Sequence, residues 1–329
     1  MKMRLLAMLL LTAAALAVQP RAASADERFA LIVSGVSGSE KIAANQDKWV
    51  TALTTTLRGR LAFPADHVVT LPEAGTGAAA STRESVTAAL AALKQRVTAN
   101  DTLLVVLIGH GTAVGTVAKF NLVGPDMDTL EWKRGLEGIA GRVVFVNTTS
   151  SSFPFVQDLS AKNRIVISAT DSAAQRFDTM FPEYFIEALD KLSAADSDKN
   201  GRLSVWEAFA YASQAVKAAF DQKGTMVTER AVIDDNGDGM AKQASATGPD
   251  GVLAKTTFLD PEPASSASNP AAAALEKQRV VLEAQIEELK GRKAQMAAAD
   301  YDAQLEKLAV ELARISAQIR AATPAPTPR

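Results

Sequence analysis

The chain has 329 residues, of which 35 are basic, 37 acidic and 2 histidine, and none is cysteine. The lack of cysteine excludes disulfides, cysteine-ligated zinc, iron–sulfur clusters and thiol catalysis, and two histidines exclude a histidine-rich metal site. The balanced charge leaves no basic footprint for nucleic acid, and 47% apolar residues suffice for one sizeable core with appendages.

Residues 1–25 read as a secretory signal peptide. Lys2 and Arg4 precede an apolar run from Leu5 to Val18, and Ala23-Ser24-Ala25 supplies a cleavage site. Cleavage there removes three basic residues and no acidic one, so a mildly acidic exported protein, periplasmic or secreted, is expected. The apolar run is too short to anchor the chain, and no second run of about 20 apolar residues follows, so no transmembrane segment is expected.

Residues 28–34 predict a buried strand and 43–62 a helix. His67–Leu71 predicts a second strand. Ser81 and Glu84 have capping-box spacing and predict a helix to about Thr98. Leu103–Ile108 is continuously apolar, as in strands buried on both faces, and ends in Gly109-His110-Gly111. Asp128 and Glu131 cap a short helix, and Val143–Val146 and Arg164–Ser168 predict two more strands. Strands alternating with helices from 28 to 190 predict an α/β fold with a mostly parallel sheet. Its chemistry belongs at the carboxyl ends of the strands.

Beyond residue 190 the chain carries an acidic loop at 196–207, a helix at 204–222 and a second acidic loop at 234–239. The main domain is expected over 26–244, an Ala/Ser/Gly/Pro-rich linker over 245–270, and a Pro-rich disordered tail over 322–329. Between these, 271–321 carries two heptad-like stripes, Leu275, Leu282, Ile286, Leu289 and Met296, then Leu305, Leu308, Leu312, Ile315 and Ile319. They are out of phase across Met296–Asp302, where Asp300 is placed to cap a new helix. This predicts a helical hairpin, with one long coiled-coil helix as the alternative. The stripes serve either packing within the chain or self-association.

Two strand ends carry reactive groups. His110 follows one apolar strand, and Thr148-Thr149-Ser150-Ser151-Ser152 follows the next. A base and a nucleophile on adjacent strand ends come within hydrogen-bond reach, and backbone N–H groups beside them stabilise an oxyanion. The plain alternatives are a histidine that caps a strand end and a polar turn or helix cap.

The stretches LVVLIGHG (Leu104–Gly111) and VVFVNTTSSS (Val143–Ser152), with a polar strand pair between them through Pro125-Asp126, resemble the legumain-like family of the caspase clan. RIVISAT, FPEYFIEAL, DSDKNGRLSVWEAF and TERAVIDDNGDG resemble its bacterial exported members, as does the helical tail, and the resemblance covers roughly residues 28–240. It implies a caspase-like fold and peptide hydrolysis by a His/Cys dyad, with His110 as the family histidine and Gly111 as its oxyanion glycine. The sequence departs at the nucleophile: Thr149 stands where the family has cysteine, and the acidic residue and glycine of the motif are missing. A hydroxyl needs a placed base and a group that orients it, and threonine is stiff at χ1. The expectation is therefore a pseudopeptidase that binds a peptide or protein partner. An active hydrolase using Thr149, Ser150 or Ser151 with His110 is the alternative.

Asp196-x-Asp198-x-Asn200-Gly201-Arg202-Leu203-Ser204-x-x-Glu207 is a full EF-hand loop pattern. Oxygen side chains stand at positions 1, 3, 5, 9 and 12, Arg202 offers its carbonyl at position 7, and Gly201 makes the sharp turn. Calcium is the implied ion, bound on the order of 10⁻⁴–10⁻³ M for an extracellular site, and no organic cofactor is expected. A calcium-dependent structural module is thus a further alternative. Asp234-x-Asn236-x-Asp238-Gly239 repeats only the first half of the pattern and reads as a surface turn or a minor ligand cluster.

Overall fold

The computed structural model describes residues 26–115, 117–246, 248–261 and 270–322. The signal-peptide segment, the chain from 262 to 269 and the tail from 323 lie outside the described residues.

Six strands make the central sheet: β1 (Arg28–Ser34), β2 (Val68–Leu71), β3 (Thr102–Ile108), β7 (Arg142–Asn147), β8 (Arg164–Ser168) and β9 (Val232–Asp234), in the order β2-β1-β3-β7-β8-β9. Pairing is parallel throughout except for β9, which runs antiparallel to β8 at the edge. A small antiparallel sheet of β4 (Gly111–Val114), β5 (Val117–Phe120) and β6 (Met127–Asp128) follows β3. The mostly parallel α/β sheet flanked by helices is the class expected from the sequence.

The continuous apolar runs arise because both faces of the sheet are covered. Alternate residues point to opposite faces. Ala30, Ile32, Leu104, Val106, Val144 and Ile165 face α1 (Glu40–Arg58), α5 (Phe181–Asp190) and α7 (Val205–Gln222). Phe29, Leu31, Val33, Leu103, Val105, Val143 and Phe145 face α2 (Arg83–Arg96), α3 (Thr129–Leu136) and α4 (Phe153–Leu159).

Local chemistry sets the helix ends. Asp128 and Ser204 make capping boxes with Glu131 and Glu207, as their spacing predicts. α1 starts earlier than expected because the Ser39 side chain accepts from Ile42 N. At α2 the cap is Thr82, whose hydroxyl accepts from Ser85 N at 3.2 Å, and not Ser81. Ser81 is buried in a connection whose carbonyl accepts from Val123 N at 3.0 Å, so the helix begins one residue later. His67 lies in a short 3₁₀ turn before β2, stacked on Phe29 with ring centroids 4.1 Å apart, and is a structural histidine.

The linker expected over 245–270 is corrected over its first part. Between the short α6 (Leu192–Ala195) and α7 lies the 196–207 loop, and against this region packs α8 (Val252–Lys255), with Asp250, Ala254, Thr257 and Leu259 buried. Arg202 reaches Asp260 at 3.2 Å and covers the Phe258 ring, and Asp235 accepts from Gly251 N and Ala254 N, so small polar residues here form a bonded strap. Beyond it, α9 (Pro270–Gly291) and α10 (Ala298–Ala322) pack on each other. Leu282, Ile286, Leu289 and Ile315 are buried there, and Asp300 lies in the first turn of α10 rather than capping it. Among the described residues no helix is long and apolar enough to cross a membrane.

Phe145 is fully buried between Trp132, at 5.5 Å edge to face, and Phe155, at 6.1 Å stacked. Phe145→Ala is expected to lower unfolding free energy by about 3–5 kcal/mol in denaturant titration.

Candidate functional site

The parallel register places Leu107 opposite Asn147, and Asn147 opposite Ser168. The segments that follow β3 and β7 therefore leave the sheet at the same level. Thr148 N and its hydroxyl both donate to Leu107 O, at 3.1 and 2.6 Å, which binds the hydroxyl run to the end of the neighbouring strand.

Gly111 shows how close the two segments come. A Cβ there would lie 2.2 Å from Ser150 O and 2.6 Å from Thr149 Oγ1. Only a glycine permits this approach, which explains the residue after His110 by packing alone.

The hydroxyls are turned inward. Thr149 is fully buried, with Oγ1 2.8 Å from Asn147 Oδ1 and 3.0 Å from Ser150 O. Ser150 Oγ donates to Gly111 O at 3.0 Å, and Ser151 Oγ to Gln175 O at 3.0 Å. Ser152 Oγ donates to Thr149 O at 2.7 Å. Each of the five hydroxyls has an internal acceptor, as buried donors require. Ser151 takes φ +52°, the left-handed conformation that turns the chain into α4.

His110 looks the other way. Its Nε2 lies 3.0 Å from Ser37 O and its Nδ1 3.4 Å from Asp178 Oδ1. Neither nitrogen is hydrogen-bonded to Thr149, Ser150 or Ser151 among the described residues. The structure thus brings the expected residues to adjacent strand ends without joining base to hydroxyl.

The histidine instead opens on a cleft of about 220 Å³ between α1 and the segment that enters α5. Gln46, Trp49, Asp178, Met180 and Glu183 line it, and none of the five hydroxyl residues does. Asp178 and Gln46 were missed by sequence reasoning. Gln46 had a visible signal: it continues the buried stripe of α1 through Val50, Leu53 and Leu57, a polar residue at core spacing that is 2% exposed. Ser34 donates to its Oε1 at 3.3 Å. Asp178 had no such signal, because its partner is far away in the sequence. Asp171, which follows β8, pairs with Arg230 at 3.4 Å, and Arg176 is exposed.

In the EF-hand-like loop, Asp196, Asp198 and Glu207 each present an oxygen within 4.8 Å of the others. Asp196 accepts from Asn200 N and Gly201 N, which coils the loop, and Gly201 has φ +81°. Glu207 accepts from Ser197 N through Oε1 and from Ser204 through Oε2. Asn200 Oδ1 accepts from Arg202 N at 2.8 Å. Burial raises the Asp198 carboxyl above its ordinary value, and the neighbouring Glu207 and Asp196 charges add to this. An all-oxygen set of this kind suits a hard divalent cation.

The second acidic loop is less exposed than expected. Asp234 is fully buried at the end of β9 and accepts from Gly237 N and Gly239 N. Asp250, from the strap, approaches Asp234 and Asp238, and burial pushes its carboxyl up to about 6.

Gly111→Ala is expected to cost about 1–3 kcal/mol of stability by overpacking against Ser150. Thermal melts check this, and a variant as stable as the parent would remove the packing explanation.

No protein-family model matches the chain, and no curated protein matches it. Among solved structures, the chain is similar to a secreted C11 cysteine protease from Bacteroides thetaiotaomicron, "iotapain". The two are 10% identical, the match covers 64% of this chain and 67% of that one, and the TM-score is 0.41. A likeness at this level assigns neither activity nor residue roles.

Proposed function

We propose that this chain is an exported caspase-like, legumain-type peptidase homologue that is catalytically silent and acts as a binding or scaffold protein. The observation that carries the reading is the opposed orientation at the strand ends. The hydroxyls of Thr148, Thr149, Ser150, Ser151 and Ser152 all have internal acceptors, while His110 faces Ser37 O and Asp178. A nucleophile needs its base within about 2.6–3.2 Å and a lone pair aimed at it. Here each hydroxyl would first have to give up a buried hydrogen bond. The alternative hydrolase needs that rearrangement for Thr149, Ser150 or Ser151.

Binding is the activity left to the cleft. His110, Gln46, Trp49, Asp178 and Glu183 all line it. Polar groups among apolar ones suit the side chain of a peptide or protein partner. The test is peptide-library cleavage by the mature chain beside His110→Ala. Neither is expected to cleave, whereas cleavage that disappears in the variant would establish the hydrolase. Peptide binding should shift Trp49 fluorescence, and the shift should vanish in Trp49→Phe.

Calcium in the 196–207 loop is a second part of the reading, favoured by the convergence of Asp196, Asp198 and Glu207. Asn200, Ser204 and the Arg202 carbonyl complete the donor set of the pattern. The bound ion would offset the mutual repulsion of the three carboxylates and stabilise the α6–α7 junction. Millimolar calcium is expected to raise the melting temperature, and Glu207→Gln to abolish the rise. An unchanged melting temperature in the parent would reject the site.

A further inference from the structure

Glu229 lies in the loop between α7 and β9 and is 2% exposed. Both of its oxygens are engaged at the start of α5: Oε2 accepts from Met180 N and Oε1 from Phe181 N, each at 2.8 Å. That helix lacks a cap of its own. Its N-cap residue is Met180, which offers no side-chain acceptor, and Pro182 follows within the first turn. A carboxylate from about fifty residues downstream therefore does what a Ser or Asp at the cap would do locally, with the helix dipole favouring its negative charge.

The capped segment is also the wall of the cleft. Asp178, which faces His110 Nδ1, precedes Met180 by two residues, and Thr179 and Met180 line the same space. Two other contacts tie this wall down: Thr179 Oγ1 donates to Thr148 O, and Lys223 Nζ lies 3.7 Å from Met180 Sδ.

We propose that Glu229 is a proton-operated latch: ionised, it clamps the Asp178–Met180 wall against His110, and protonated, it lets that wall loosen. A protonated carboxyl keeps one good acceptor oxygen and turns the other into a donor, so one of the two amide bonds is lost. Among the described residues no cation is paired with this carboxylate. On α5 the facing group is Tyr184, whose hydroxyl is raised by burial first and then by the charges of Glu183, Glu187 and Glu229. From the end of α7 comes Lys223, which contacts Met180 rather than the carboxylate. Arg230, on the same loop, is paired with Asp171. Burial thus outweighs the two amide bonds and pushes Glu229 from 4.5 up to about 7. Because the folded chain holds this proton more tightly than the unfolded chain, the linked stability falls as pH rises from about 4.5 to about 7, then levels. The ionised latch is thus tight locally and costly globally.

The latch does not depend on what the cleft binds, and it is tested without ligand. The backbone amide signals of Met180 and Phe181 are followed by NMR from pH 5 to 9. An inflection near 7 is expected at both, with hydrogen exchange of these amides, corrected for intrinsic rate, about tenfold faster at the acid end. The inflection should persist in His110→Ala, which separates it from the histidine's own protonation, and vanish in Glu229→Gln. Flat amide signals in the parent chain, or an inflection retained in Glu229→Gln, overturn the proposal. The parent titration decides alone if Glu229→Gln does not fold.

Discussion

Leu107 stands opposite Asn147 in the pairing of β3 with β7, and the rest of the candidate site follows from that register. Both strands are buried on both faces, so a slip by one residue would reverse every apolar side chain between the two layers. The strand ends are therefore level and cannot drift. His110 leaves one of them and the hydroxyl run leaves the other, with Gly111 allowing the two segments to touch.

Proximity alone does not make a dyad. The hydroxyl run is buried, and a buried donor left unpaired costs about 1–3 kcal/mol. Five hydroxyls in five consecutive residues must therefore find five acceptors, and they find them in Leu107 O, Asn147 Oδ1, Gly111 O, Gln175 O and Thr149 O. The histidine, at the end of the neighbouring strand, meets Ser37 O and Asp178 Oδ1 instead. The satisfaction of the turn and the orientation of the ring are two aspects of one arrangement.

Buried carboxylates hold the surrounding loops in place by accepting backbone amides across the chain. Asp101 receives Glu27 N and Thr98 N at the foot of β3. Asp235 receives Gly251 N and Ala254 N and starts α8, and Glu229 does the same for α5. Glu207 closes its own loop and caps α7. Burial raises the Asp235, Asp250 and Glu229 carboxyls, and the backbone amides they accept work against that rise.

Much of this was legible in the residue order. Continuous apolar runs identified β1, β3, β7 and β8, and the Asp128 and Ser204 capping boxes located two helix starts, because apolar burial and capping act over a few residues. His110, Thr149 and the 196–207 loop stood out by their chemistry and their place after a strand or helix. The three-residue β9 was too short for a periodic signal, and the strap at 248–261 has the composition of a linker while its polar groups are bonded to the core. Asp178 and Glu229 were invisible for one reason: the groups they meet are 68 and 49 residues away, and no local pattern records such a pairing. Residue order is enough to specify the layered α/β sheet and the residues at its carboxyl ends. Which way those residues turn depends on the fold, because each buried polar group takes whichever acceptor the folded chain brings within reach.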